Sequence, residues 1–127
     1  METPMQHESV LLPGLRELAQ RWERNGHHLM SRRLEGALGR EFRFECHGET
    51  PLFLRLEPKS ASVGPVVAER QPHATIAMAA PDWAQVLSGR WSVMTVVLGG
   101  RANFPKHERR YIMQLSMVMQ ALLLLEQ

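Results

Sequence analysis

The chain has 127 residues, 44% of them hydrophobic and 22% charged, with a formal net charge of +2. That is one domain's worth of chain, long enough to bury about two-thirds of its unfolded surface. No apolar run reaches the ~18 residues of a membrane span. A single cysteine, Cys46, rules out an internal disulfide.

Thirteen of the fifteen basic residues are arginine. The planar guanidinium suits phosphate and carboxylate, so an anionic head group or acidic partner fits the chain's surface. The first eight residues contain acids and no basic, apolar-cored leader, so no secretory signal is expected. Together with the lone thiol this points to the cytoplasm.

From Pro13 to Glu23 the chain reads as an amphipathic helix, with Leu15, Leu18, Ala19 and Trp22 on one side. Asn25-Gly26 breaks it, and a second helix is predicted over His28 to Leu38. Residues 1–40 form an N-terminal helical segment, and 41–127 the main body of one globular domain. Phe42, Phe44 and Cys46 alternate with Arg43 and Glu45, predicting a strand over Glu41 to His47. After Gly48-Glu-Thr-Pro51, Leu52, Leu54 and Leu56 alternate likewise up to Glu57, and the two strands should pair as a hairpin. Pro58 to Gly64 reads as loop, Val66 to Glu69 as a short third strand, and 73–79 as a fourth.

Pro81-Asp82-Trp83 opens a helix, because proline suits a first turn and an early aspartate suits the positive end of the dipole. Ser88-Gly89 ends it. Ser92 caps a further helix whose Met94, Val97 and Leu98 are predicted to form its apolar face, before Gly99-Gly100 stops it. The last helix, Lys106 to Glu126, is apolar around most of its circumference. A helix of that kind needs cover on most sides, from a ligand cavity, another subunit or a membrane. Its methionines suit adaptable surfaces.

No catalytic constellation is visible. His27 and His28 are adjacent and diverge on a helix, and His7, His73 and His107 lack partners at metal-ligand spacing, so no metal or cofactor is expected. Cys46 shares the phase of Phe42 and Phe44 and reads as a buried, inert thiol. The helix-start position of Asp82 already accounts for it. Gly99-Gly100-Arg101 lacks the spacing of a phosphate loop. Arg101, Lys106, His107, Arg109 and Arg110 cluster near Phe104 and Tyr111, yet the cluster is small and the acids nearly balance the bases, which disfavours nucleic acid.

The segment ATIAM…PDWAQVLSGR…VMTVVLGGRANF resembles the sterol carrier protein 2-like lipid-binding domains, which carry a similar strand, an aromatic-bearing helix, a Ser-Gly stop, a Met-containing helix and a Gly-Gly-Arg stop in that order. The resemblance runs over residues 41 to 125 and is strongest from Thr75 to Phe104. Where the family continues into a strand with a Gly-Asp turn, this chain has Ala102-Asn-Phe-Pro-Lys-His-Glu108, and Pro105 leaves the length of that strand open.

The resemblance implies an α+β fold: a mostly antiparallel sheet of about five strands, helices packed on one face, and an apolar cavity between the layers. It also implies non-enzymatic binding of a sterol, fatty acid, acyl chain or prenylated quinone. Helix and strand phase, with the matched positions, nominates Ile76, Met78, Trp83, Leu87, Met94, Val97, Leu98, Met113 and Met117 as cavity lining. Arg90 and Arg101 are placed at the mouth. Expected partners are a lipophilic small molecule, an anionic membrane surface met transiently, and a second copy or another protein. The alternative is an accessory or scaffold protein, for example in quinone biosynthesis, that uses the last helix to bind a partner.

Overall fold

A computed structural model of the chain describes residues 9–29, 39–67 and 74–126. Alternation in β1 (Glu41–Cys46) and β2 (Leu52–Leu56) produces the expected antiparallel hairpin, with Phe42 opposite Leu54 and Phe44 opposite Leu52. β4 (Ala74–Met78) lies parallel to β1 on its other side, Phe44 facing Ile76 and Cys46 facing Met78. With β3 (Ala61–Pro65) and β5 (Ala102–Asn103) at the edges, the order is β3-β2-β1-β4-β5. Every pairing but β1–β4 is antiparallel.

The period of two sends Phe42, Phe44, Leu52, Leu54, Leu56, Ala74, Ile76 and Met78 to one buried face. Arg43, Glu45, Arg55, Thr75 and Ala77 sit half-buried on the other.

The third strand is a correction. It forms within the segment predicted as loop, and Val66 and Val67 lie beyond its end. Only Ala61 and Val63 point inward, so its hydrophobic alternation is faint. Its register comes from a tight turn in which the Glu57 N–H donates to Ser60 O at 2.8 Å. As an edge strand it accommodates Pro65, whose missing N–H breaks no ladder bond.

Helix α1 (Leu11–Asn25) buries Leu11, Leu15, Leu18, Ala19 and Trp22 against β2 and β3. Its Trp22 Nε1–H donates to Glu57 O at 2.7 Å. A 3-10 turn, Gly26–Leu29, follows. The rest of the predicted second helix lies outside the described residues, as do the turn before β4 and residues 68 and 69 of the expected third strand.

Helix α2 (Ala80–Leu87) carries its proline in the first turn and stops before Gly89, which at φ +88° holds a left-handed conformation that other residues adopt at a cost. Its end passes so close to α1 that a Cβ on Gly14 would lie 2.6 Å from Leu87 Cδ1. Helix α3 (Val93–Leu98) is capped by Ser92 Oγ, which accepts from the Thr95 N–H at 3.1 Å.

The inward face of α3 differs from the one read in the sequence. Val93 and Val96 are buried, Met94 and Val97 are half-buried, and Leu98 is 78% exposed. In a six-residue helix the i, i+3 pair Val93–Val96 takes the core, and about 100° per residue then carries Leu98 to the opposite side.

β5 has two residues because Pro105 ends the ladder. Beyond it a 3-10 turn, Lys106–Glu108, leads into α4 (Arg109–Leu125). Where β5 falls short, Glu108 replaces it: its carboxylate accepts the Thr75 N–H at 2.6 Å. α4 buries Ile112, Leu115, Val118, Met119 and Leu122 and packs on β4, α1 and α3.

Candidate functional site

The residues expected to line a cavity divide into three groups. Ile76, Met78 and Trp83 lie in the core between sheet and helices. The Trp83 ring is tilted against Phe44 with centroids 5.3 Å apart, and its Nε1–H donates to Glu45 O at 2.7 Å, which fixes the indole under β1. Leu87, Met94 and Val97 are half-buried at the edge of the helical layer. Leu98, Met113 and Met117 face outward, the two methionines at 42% and 43% exposure, so they do not line the space between the layers. The apolar circumference of α4 is thus read by the fold as one buried face and one exposed stripe.

The described residues form concavities that open to solvent. One of about 600 Å³ lies at the ends of β1 and β4, walled by Glu45, Cys46, His47, Glu49, Met78, Arg101 and Asn103. A second, of about 280 Å³, runs between Gly89 and Trp91 on one side and Gln120, Leu123 and Leu124 on the other. Leu123 fills the space beside Gly89, where a Cβ would meet its Cδ1 at 3.0 Å.

Neither concavity carries an activated nucleophile. Burial, reinforced by the neighbouring Glu49 carboxylate, pushes the Cys46 thiol up to about 11. At neutral pH it is a thiol, the form that does not attack. Glu49 works as a clamp on α1. Its carboxylate accepts the Val10 N–H at 2.9 Å, the Leu11 N–H at 3.2 Å and the Ser9 hydroxyl at 2.9 Å. Burial resists its ionisation, but these donors prevail and hold the carboxyl below its ordinary range.

Asp82 is buried, with Arg101 Nη2 2.7 Å from its Oδ1. That contact is a close ion pair without hydrogen-bond alignment. Arg101 also stands over the Trp91 ring at 5.5 Å and remains more than half exposed. It is therefore a cation fixed in the wall of the concavity at the ends of β1 and β4, whereas Arg90 is simply exposed. Among the described residues no three His, Cys, Asp or Glu side chains are grouped as a metal site would require. Among the same residues no helix is long and apolar enough to cross a membrane.

Sequence reasoning missed Glu49, Glu108 and the groove beside Gly89. Both carboxylates act on backbone more than thirty residues away, and no local spacing announces such a partner. The groove had a signal in the unbroken run Leu122 to Leu125, but its other wall comes from the α2–α3 connection.

No protein-family profile matches the sequence, and no curated protein matches it. The fold is nevertheless that of the sterol carrier protein 2-like domains. The chain superposes on a solved structure described as a UbiJ-SCP2 ubiquinone synthesis protein with a TM-score of 0.63 at 15% identity, over 97% of this chain and 98% of the other. It superposes on the sterol carrier protein domain 2 of Helicoverpa armigera with a TM-score of 0.65 at 11% identity, over 96% and 94%. With palmitated SCP2L2 from Aedes aegypti the TM-score is 0.62 at 13% identity, over 85% and 93%. At such identities the likeness is one of fold.

Proposed function

We propose that this protein binds and carries a lipophilic molecule, without catalysing a reaction, in the space between its sheet and its helical layer. The observation that carries the reading is the shared fold, which in one neighbour is described as palmitated. Its physical basis is transfer of apolar surface out of water. A dozen methylenes at ~0.8 kcal/mol each supply ample driving force before the costs of ordering the chain.

Ile76, Met78 and Trp83 would meet the ligand from the floor, and Leu87, Met94 and Val97 from the edge. Arg101, with Arg90 nearby in sequence, would meet a carboxylate or other polar head at the mouth. Because the three floor residues are packed in the core, the ligand must part the helical layer from the sheet. Methionine's flexibility suits residues that have to repack around a guest.

A narrower reading is an accessory role in quinone biosynthesis, with the isoprenoid tail of a quinone intermediate as the ligand. It is favoured by the near end-to-end match to the ubiquinone synthesis protein. Native mass spectrometry before and after organic extraction tests the general reading: a removable lipid mass supports it. Absence of such a mass, together with no uptake of a fluorescent fatty acid by extracted protein, rejects it. Competition between palmitate and a prenylated quinone for the extracted protein separates the two ligand classes.

A further inference from the structure

Helix α4 presents to solvent a surface that its fold does not use. At about 100° per residue, Met113, Leu124 and Met117 fall within an arc of about 40°, and Arg109 and Arg110 border that arc on either side. All five are exposed, Leu124 at 68%. From Arg109 to Leu125 the helix contains no acidic residue.

The acids at its two ends are turned away. Glu108 is buried, with its carboxylate on the Thr75 N–H. Glu126 is held by Arg24 through paired bonds of 3.0 to 3.1 Å and by Asn25 at 2.7 Å, on the α1 side. At the start of the helix the positive charge is concentrated. The guanidinium of Arg40 lies 4.0 Å from the centre of the Tyr111 ring, and that of Arg110 lies 5.3 Å from it. The Arg110 hydrogen bond and the Arg40 charge hold the Tyr111 hydroxyl below the usual phenolic range. The positive end of the helix dipole lies at the same end and adds to this field.

From this arrangement we infer that the outer face of α4 docks on an anionic phospholipid bilayer. The helix lies flat, Met113, Met117 and Leu124 reach the boundary between head groups and acyl chains, and Arg109 and Arg110 engage lipid phosphates. This is the geometry of an interfacial amphipathic helix, in which apolar burial and attraction to anionic lipid add. A second copy is a poorer occupant. Pairing the stripe with itself in parallel sets arginine against arginine, and pairing it antiparallel sets Arg109 and Arg110 against Leu124 and Leu125, so neither supplies a counter-charge. The inference stands on the outer surface of α4 and does not require a ligand inside.

The test is flotation of the full chain with vesicles of phosphatidylcholine alone or mixed with phosphatidylglycerol. Binding is expected on the mixed vesicles only and should weaken as salt is raised. Arg109→Gln with Arg110→Gln should lower the partition coefficient at least about tenfold, and Met113→Ser with Met117→Ser by a similar factor. Both variants are checked for an unchanged melting transition. A Met117→Cys variant labelled with an environment-sensitive fluorophore gives a second readout, with a blue shift expected on the mixed vesicles; the buried Cys46 thiol leaves the introduced thiol as the labelling site. The proposal fails if the mixed vesicles leave the protein behind, if binding survives both double substitutions, or if the stripe instead holds a stable dimer in light scattering.

Discussion

The Glu49 carboxylate, in the turn between β1 and β2, accepts the backbone N–H of Val10 at 2.9 Å and so ties the start of α1 to the far end of the sheet. It occupies the place of a helix-capping side chain, although it is distant in sequence. Glu49→Ala should cost about 1 kcal/mol of stability in denaturant melts.

The same clamp predicts a pH dependence. Glu49 is held below its ordinary range in the fold, so the unfolded chain binds its proton more readily. Its contribution is present above the ordinary glutamate range, near pH 4.3, and is lost as pH falls through the folded value. Stability measured from pH 6 down to pH 3 should fall less steeply for Glu49→Gln than for the parent chain.

Cys46 titrates in the opposite sense. Its thiol, pushed up to about 11, keeps its proton in the fold at pH values where the unfolded chain begins to release it. That contribution is present at neutral pH and is lost as pH rises from about 8.5 toward 11. Alkylation at pH 8 should accordingly be slow in the folded protein and rapid in denaturant. Fast alkylation of folded protein would contradict the buried thiol.

Gly14 and Leu87 meet too closely for a side chain between them. Gly14→Ala gains helix propensity of about 1 kcal/mol but must push Leu87 aside, at about 1–3 kcal/mol. Net destabilisation is expected, and Leu87→Ala in the same chain should recover part of it. A double-mutant cycle with no coupling would show that the two helices do not approach in this way.

On α3 the core and the surface lie on opposite sides of one short helix. Val96→Ala should cost about 2 kcal/mol, whereas Leu98→Ser should change stability by less than about 0.5 kcal/mol. Equal costs for the two would restore Leu98 to the buried face that sequence phase assigned it.

These contrasts show what could be read in advance. The hairpin, β4 and α2 were legible because alternation at Phe42–Phe44–Cys46, Leu52–Leu54–Leu56 and Ala74–Ile76–Met78, and a proline start with a glycine stop, are local signals strong enough to stand alone. β3 was misplaced because an edge strand of Ala61, Ser62, Val63 and Gly64 has little apolar pattern and draws its register from β2. Leu98, Met113 and Met117 were assigned inward because phase says which residues share a face. Which face meets the core is settled by packing, here by Val93–Val96 and by Ile112, Leu115 and Met119.

Methyl resonances of the eight methionines offer a readout of where a ligand lodges. In a titration of extracted, methyl-labelled protein with palmitate below its micelle concentration, free of vesicles, the Met78 and Met94 methyls should shift saturably while those of Met113 and Met117 stay in place. Stationary Met78 and Met94 signals, or shifts confined to Met113 and Met117, would contradict a guest between the sheet and its helices.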